Sequence, residues 1–249
     1  MADTRYQPQT QAQTGAQVAI DQGLRAYMLK VYNYMAAGLG ITSVAAVGTY
    51  MAAVDSSSGS QQLTAFGQAI FASPLMWVLV IAPVALVFFL SFRIQKMSVA
   101  AAQTTFWVYA ALVGVSFASL GLVYAHGSIA RVFLITAATF GAMSLYGYTT
   151  KRDLTAMGSF LFMGLIGIII ASLVNIFFAS SAMAWVISVL GVVIFTGLTA
   201  YDTQKIKEMY FVTDDVAVMG RKAIMGALTL YLDFINLFLM LLRIFGNRD

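Results

Sequence analysis

The 249-residue chain is 60% hydrophobic and 10% charged, with a mean hydropathy of +0.83, whereas soluble domains are about 45–50% apolar and about 25% charged. This composition excludes a water-soluble fold. The chain has no Cys and one His, so disulfides, thiolate nucleophiles and Cys- or His-rich metal centres are excluded. Its net charge of +4 comes from basic residues scattered between apolar runs, which does not favour a nucleic-acid partner. We therefore expect that the protein is not an enzyme and that it binds no cofactor.

The N-terminal segment has a different composition from the rest of the chain. Residues 1–20 are rich in Gln, Thr and Ala, which predicts a disordered, solvated tail. From Ala16 to Lys30 apolar residues recur near helical spacing, which indicates a short amphipathic helix at the membrane interface. The predicted organisation is a tail over residues 1–20 and a transmembrane domain over residues 21–249.

Seven apolar runs follow, and each is near the length that crosses the ~30 Å hydrocarbon core as a helix. They are continuous, whereas a transmembrane barrel requires polar residues at every second position. The sequence therefore predicts an all-α membrane protein with seven transmembrane helices. The runs cover residues 31–54, 75–92, 104–124, 129–149, 154–174, 182–201 and 223–243.

Small residues within these runs are expected to let neighbouring helices approach closely. The candidates are Gly38, Gly40, Gly114, Ala118, Gly164 and Gly167.

Basic residues predict the orientation in the membrane. Eleven of the fourteen Lys and Arg residues lie in the N-terminal region and in the second, fourth and sixth connections. The positive-inside rule then places the N-terminus in the cytoplasm. Arg243 and Arg248 oppose this locally, which leaves a re-entrant last segment as the alternative to a seventh span.

Asp233 is the acidic residue that most needs an explanation. It lies about ten residues into the last predicted span, where an ionised carboxylate costs roughly 2.5–3.5 kcal/mol on insertion scales. One interpretation is a protonated side chain that joins two helices by a hydrogen bond. The other is a site on a path for protons or ions.

Asp202 follows the sixth predicted span, and Lys205, three residues later, is placed to neutralise it. The last two spans are antiparallel neighbours, so Asp202 and Asp233 can face each other. On the predicted boundaries, however, they differ in depth by roughly 15 Å. If they meet, two adjacent carboxylates cannot easily both ionise, and the pair should titrate as a unit. If both carboxyl groups are deprotonated, their oxygen atoms suit a hard cation such as Ca²⁺.

Two segments resemble the closing helices of the Bax inhibitor-1 family, also called transmembrane Bax inhibitor motif proteins. They are residues 199–207 (TAYDTQKIK) and the more specific 227–239 (ALTLYLDFINLFL). The resemblance covers about residues 25–249. It implies a seven-helix bundle with the last helix central, wrapped by the other six, that acts as a pH-sensitive calcium leak. Asp202 and Asp233 match the family's pH-sensing pair, which would also line the ion path.

The resemblance also implies a latch, in which an arginine at the end of the second span pairs with the sixth-span aspartate in the closed state. Arg93 matches that arginine by position, and Lys96 is the competing residue. The short C-terminus, which has no Lys-rich tail, suggests a bacterial member located in the inner membrane.

Two functional hypotheses therefore stand. The first is a calcium or cation leak gated by Asp202 and Asp233, with membrane lipid, protons and calcium ions as partners. The second is an interaction protein that modulates a membrane-anchored protease or is its substrate, because some bacterial family members are associated with such a protease. A proton-coupled transporter is disfavoured, since the chain has no convincing internal symmetry.

Overall fold

The computed structural model describes the backbone of residues 7–55 and 62–248 and the side chains of residues 22–55 and 62–248. Seven helices in this part of the chain are long and apolar enough to cross a membrane, which confirms the prediction of an all-α membrane protein with seven such helices. Helices suit apolar runs in lipid because each backbone N–H beyond the first turn finds a carbonyl within its own segment. The helices are α1 Gln7–Ala53, α2 Ala65–Phe71, α3 Leu75–Arg93, α4 Val99–Phe117, α5 His126–Thr149, α6 Thr155–Phe178, α7 Ser181–Glu208 and α8 Val216–Phe245, and all except the short α2 are candidate spans.

The connection between α1 and α3 contains structure that the apolar pattern does not predict. Strand β1 (Val54–Asp55) pairs antiparallel with β2 (Gln62–Leu63), and α2 follows. Thr64 caps α2 by accepting a hydrogen bond from Gly67 N at 3.1 Å. These elements are too short to produce a hydrophobic period.

Helix α1 joins two segments that the sequence analysis separated. It runs without a break from Gln7 to Ala53, and therefore includes both the predicted interfacial helix and the first span. No Gly or Pro occurs between residues 24 and 37, so nothing in that stretch ends the helix. The helix also includes residues of the predicted tail. Residues 1–6 lie outside the described part of the chain, and the boundary at residue 20 stays a prediction.

Capping side chains fix where three of the spans begin. Each accepts a hydrogen bond from a backbone N–H in the first turn, which satisfies a donor that the helix itself leaves unpaired. The pairs are Ser98 with Ala101 N at 3.2 Å, Ser180 with Met183 N at 3.3 Å and Asp215 with Val218 N at 2.7 Å.

Helix α8 is the central helix of the bundle, as the resemblance implied. Two thirds (67%) of its most apolar window is buried, against 11% for α3 and for α6. It packs mainly against α1, α4, α5 and α7, whereas α3 packs on α4 and α6 packs on α7. The expectation of six surrounding helices is therefore corrected to four, with α3 and α6 on the outside.

The last two helices are longer than their apolar runs. Helix α7 continues to Glu208 instead of ending at residue 201, and α8 begins at Val216 instead of residue 223. Polar residues at these ends continue the helix beyond the apolar core. The 30 residues of α8 form one unbroken helix of about 45 Å, which favours a full span over a re-entrant segment.

Candidate functional site

The register between α7 and α8 is set by a close contact. A Cβ added at Gly226 would lie 2.9 Å from the Ile206 side chain, so these two residues are level. Asp202 lies four residues before Ile206. Because the helices are antiparallel, it is level with the residue four positions after Gly226, which is residue 230. Asp233 is three residues further, or about 4.5 Å along the axis. The predicted depth difference of roughly 15 Å is therefore wrong, because α7 extends past its apolar run.

This register brings the two predicted site residues together. The side chains of Asp202 and Asp233 make a hydrogen bond to each other. Such a bond requires one of the two carboxyl groups to hold a proton. Asp233 is only 5% exposed, and apart from the Asp202 carboxyl group no described residue gives its Oδ2 atom a hydrogen-bond partner. A buried carboxyl group with so few partners is costly, and this is typical of a functional site.

Both carboxyl groups lie on one cavity. It has a volume of about 1,020 Å³, is lined by α6, α7 and α8, and is open on one side. The α6 side is mostly apolar, with Phe162, Ile169 and Ile176 among its lining residues. A low-dielectric wall strengthens the electrostatic interactions of the acidic pair with any charge that enters.

Two further polar residues on α8 line the same cavity, and the sequence analysis missed both. They are Thr229, four residues before Asp233, and Asn236, three residues after it. This spacing places all three on one face of the helix. Asn236 donates its Nδ2 hydrogen to Leu232 O at 2.8 Å, so its carbonyl oxygen remains available as an acceptor. The spacing around Asp233 was the signal that could have identified them.

The cation beside Asp202 is Lys205, as the sequence predicted. Lys205 lines the cavity, acts electrostatically on Asp202, and has its Nζ 5.7 Å from the centre of the Tyr201 ring. Arg93 and Lys96 are both exposed, at and just after the end of α3, and neither lines the cavity. The structure thus does not bring Arg93 to Asp202, and the latch stays a prediction.

The opposite face of α7 is fixed to α1 and α5 by hydroxyl groups. Thr203, next to Asp202, lies 3.0 Å from Ser144 Oγ, which in turn lies 2.7 Å from the Tyr32 hydroxyl. Thr203 also donates to Thr199 O at 2.7 Å. Because these groups are mostly buried, the chain of hydrogen bonds orients α7 and turns Asp202 toward the cavity.

The end of α7 also holds the connection between α5 and α6. Gln204 accepts from Leu154 N and donates to Arg152 O, both at 2.8 Å. In the same connection, the side chain and backbone N–H of Thr155 donate hydrogen bonds that lower the pKa of the exposed Asp153 carboxyl. One amide side chain therefore ties the α5–α6 connection to α7.

The connection between α7 and α8 is stabilised by an ion pair. Lys222 Nζ lies 2.6 Å from Asp214 Oδ2 and donates to Met209 O at 2.9 Å. The same ammonium group lies 4.7 Å from the centre of the Phe211 ring. These contacts hold the long connection, and with it the register of the two helices.

The fold and the site define a class: a polytopic α-helical membrane protein with a buried pair of carboxyl groups on its central helix and the helix before it. Residues 24–249 match the family model described as "Inhibitor of apoptosis-promoting Bax1". The chain therefore belongs to the Bax inhibitor-1 family, which confirms the resemblance.

Several bacterial relatives match almost the whole chain. The inner membrane protein YbhL of Escherichia coli is 49% identical over 228 residues, which cover 91% of this chain and 93% of YbhL. A Rickettsia prowazekii protein is 52% identical over 235 residues, which cover 94% of this chain and 95% of its own. A membrane protein of Streptococcus pyogenes is 38% identical over 232 residues, which cover 92% and 96% of the two chains.

Proposed function

We propose that the protein is a pH-sensitive leak for calcium or a similar cation in a bacterial inner membrane, with Asp202 and Asp233 on the ion path. The observation that carries this proposal is the contact between the two carboxyl groups on a cavity between α6, α7 and α8. The location follows from the seven apolar helices and from the likeness to an inner membrane protein.

Proton and cation compete for the same oxygen atoms. Two desolvated carboxyl groups in contact need a compensating positive charge, because neighbouring negative charges in a low dielectric repel strongly. A shared proton supplies that charge in one state and a bound cation supplies it in the other. Raising the proton concentration therefore displaces the cation, which makes passage depend on pH.

The oxygen atoms on the cavity suit a hard cation. Calcium takes six to eight oxygen ligands from carboxylates, amide carbonyls, hydroxyls and water. Asp202 and Asp233 provide carboxylate oxygens, and Asn236 and Thr229 add neutral ones. Within the described residues, no third His, Cys, Asp or Glu joins the pair. Weak binding by two charges and neutral oxygens is compatible with release, which conduction requires.

The test is calcium flux into proteoliposomes of the purified protein, measured against pH. The variants are Asp202→Asn, Asp233→Asn and both together. We expect each single variant to lose the wild-type pH profile and the double variant to add little, because residues in direct contact have non-additive effects. Thr229→Val and Asn236→Leu, which keep both carboxyl groups, should lower the flux while leaving its pH dependence in place.

Other roles for the pair give different results. If Asp233 only joins two helices by a hydrogen bond, Asp233→Asn lowers thermal stability and leaves the pH profile unchanged. Additive effects of the two single variants on the flux would also contradict the role of the pair as a pH sensor. A protein that acts only as partner or substrate of a membrane-anchored protease would show no flux in liposomes that contain it alone.

A further inference from the structure

A groove lies on the surface of the bundle, separate from the cavity that contains the acidic pair. It has a volume of about 620 Å³, and α1 and α5 form its two sides. We propose that this groove binds one anionic phospholipid, with an acyl chain between α1 and α5 and the headgroup phosphate at Arg25. The lining residues are Arg25, Met28, Leu29 and Tyr32 of α1 and Phe140, Gly141, Ser144, Leu145 and Tyr148 of α5.

The walls of the groove fit an acyl chain. Leu29 and Leu145 are 52% and 63% exposed, and Met28 and Phe140 form the buried apolar base. No side chain of α5 fills the space at Gly141, where an added Cβ would meet nothing within 4 Å. An apolar channel that opens toward lipid and lacks a protein side chain to fill it matches the shape of a hydrocarbon chain.

The charge at one end of the groove fits a phosphate. Arg25 lines the groove and is an exposed residue, and Arg is suited to bidentate phosphate binding. At the same end, Lys207 Nζ donates to Tyr148 O at 2.9 Å and lies 5.6 Å from the centre of the Tyr148 ring. Basic pockets between transmembrane helices typically bind anionic lipid headgroups. Charge complementarity therefore favours an anionic lipid over a neutral one.

The groove is also connected to the helix that carries Asp202. Tyr32 and Ser144 line it and are hydrogen-bonded to each other at 2.7 Å. Ser144 then lies 3.0 Å from the Thr203 hydroxyl on α7. A lipid that contacts Tyr32 or Ser144 thus acts on the hydrogen bonds that orient α7.

The test is native mass spectrometry of the purified full-length protein in detergent, titrated with phosphatidylglycerol or phosphatidylcholine of identical acyl chains. We expect the first bound phosphatidylglycerol to be preferred over phosphatidylcholine. Arg25→Ala should weaken phosphatidylglycerol binding about fivefold, as expected for one basic residue near an anionic headgroup, and should leave phosphatidylcholine unchanged. Lys96→Ala, which removes an exposed basic residue outside the groove, is the matched control and should have no effect.

A second pair of variants tests the acyl-chain site. Gly141→Leu should fill the groove and abolish the first binding event for both lipids. Gly127→Leu is its control, since Gly127 lies on the same helix, outside the groove, and also has open space around its Cβ position. The proposal would be overturned if both lipids bound equally or if Arg25→Ala and Lys96→Ala had equal effects. It would also be overturned if the groove held a second copy of the chain, so that Gly141→Leu dissociated a dimer without loss of bound lipid. None of these measurements uses cation flux, so they are independent of the proposed leak.

Discussion

The close approach of α5 to α7 gives a quantitative prediction for Gly147→Ala. A methyl group at Gly147 would lie 2.8 Å from the carbonyl carbon of Ala200, where ordinary contact begins at 3.4 Å. The helices must therefore separate by about 0.6 Å for this atom alone, and further for the carbonyl oxygen, which is closer. Ala200 precedes Asp202 by two residues, so the change acts beside the acidic pair.

The expected cost follows from overpacking and from a neighbouring hydrogen bond. Inserting a methyl group into a tight contact costs about 1–3 kcal/mol. Separation of α5 from α7 also lengthens the 3.0 Å hydrogen bond between Ser144 and Thr203. Loss of this bond lowers the free energy of unfolding by about 1 kcal/mol more. The free energy of unfolding should thus fall by about 2–4 kcal/mol, and the melting temperature by at least about 4 °C at this chain length.

The assay is thermal unfolding of the purified protein in detergent. Gly141→Ala is the matched control on the same helix, because its added methyl group meets nothing within 4 Å. It should leave the melting temperature unchanged or slightly raised, since alanine favours a helix more than glycine. Equal melting temperatures for the two variants would refute the packing argument.

Three further predictions concern the latch, the orientation and the α5–α6 connection. Arg93→Ala should raise calcium flux at neutral pH if Arg93 pairs with Asp202 in a closed state, whereas a larger effect from Lys205→Ala would assign that role to the cation that lines the cavity. A reporter fused after Ala179, between α6 and α7, should report a non-cytoplasmic location. A cytoplasmic signal would show that the predicted topology is inverted. Because hydrogen bonds lower the pKa of Asp153, its stabilising contribution should be present above the pKa of the unfolded chain and be lost as pH falls through the lower folded value. NMR titration of this carboxyl group should give a midpoint below that of an unstructured peptide, and an equal midpoint would contradict it.

Hydrophobic patterning predicts the spans because lipid imposes one rule on every segment. The seven runs match the seven long helices, and the acidic residue Asp233 within an apolar run indicates the candidate site. The runs predict helix ends poorly, since α7 and α8 continue as helices through polar residues. That error alone produced the wrong depth for Asp202.

Packing between helices is harder to predict from one sequence. Gly114 lies against the α1 backbone as expected, but Gly40 and Gly167 have open space at their Cβ positions. Gly147, which the sequence analysis did not select, makes one of the tightest contacts. A glycine is a contact residue only if its face meets another helix, and this depends on the rotation of the helix within the bundle. The same limit explains why Thr229 and Asn236 were missed.

The hydrogen bonds of Gln204 have a mechanical consequence. With Lys207 and Thr203, Gln204 fixes α7 to α5 and to the connection that follows α5, so sliding α7 along its axis would break several hydrogen bonds together. Helix α6, which forms a wall of the cavity, is tied to the start of α7 by one side-chain hydrogen bond, in which Asn175 Oδ1 accepts from Ser180 N at 3.0 Å. Helices α5 and α7 are therefore the pair held together by polar contacts, whereas α6 is held on α7 mainly by close packing, as where Leu161 lies against Gly197 and Tyr201 against Gly158.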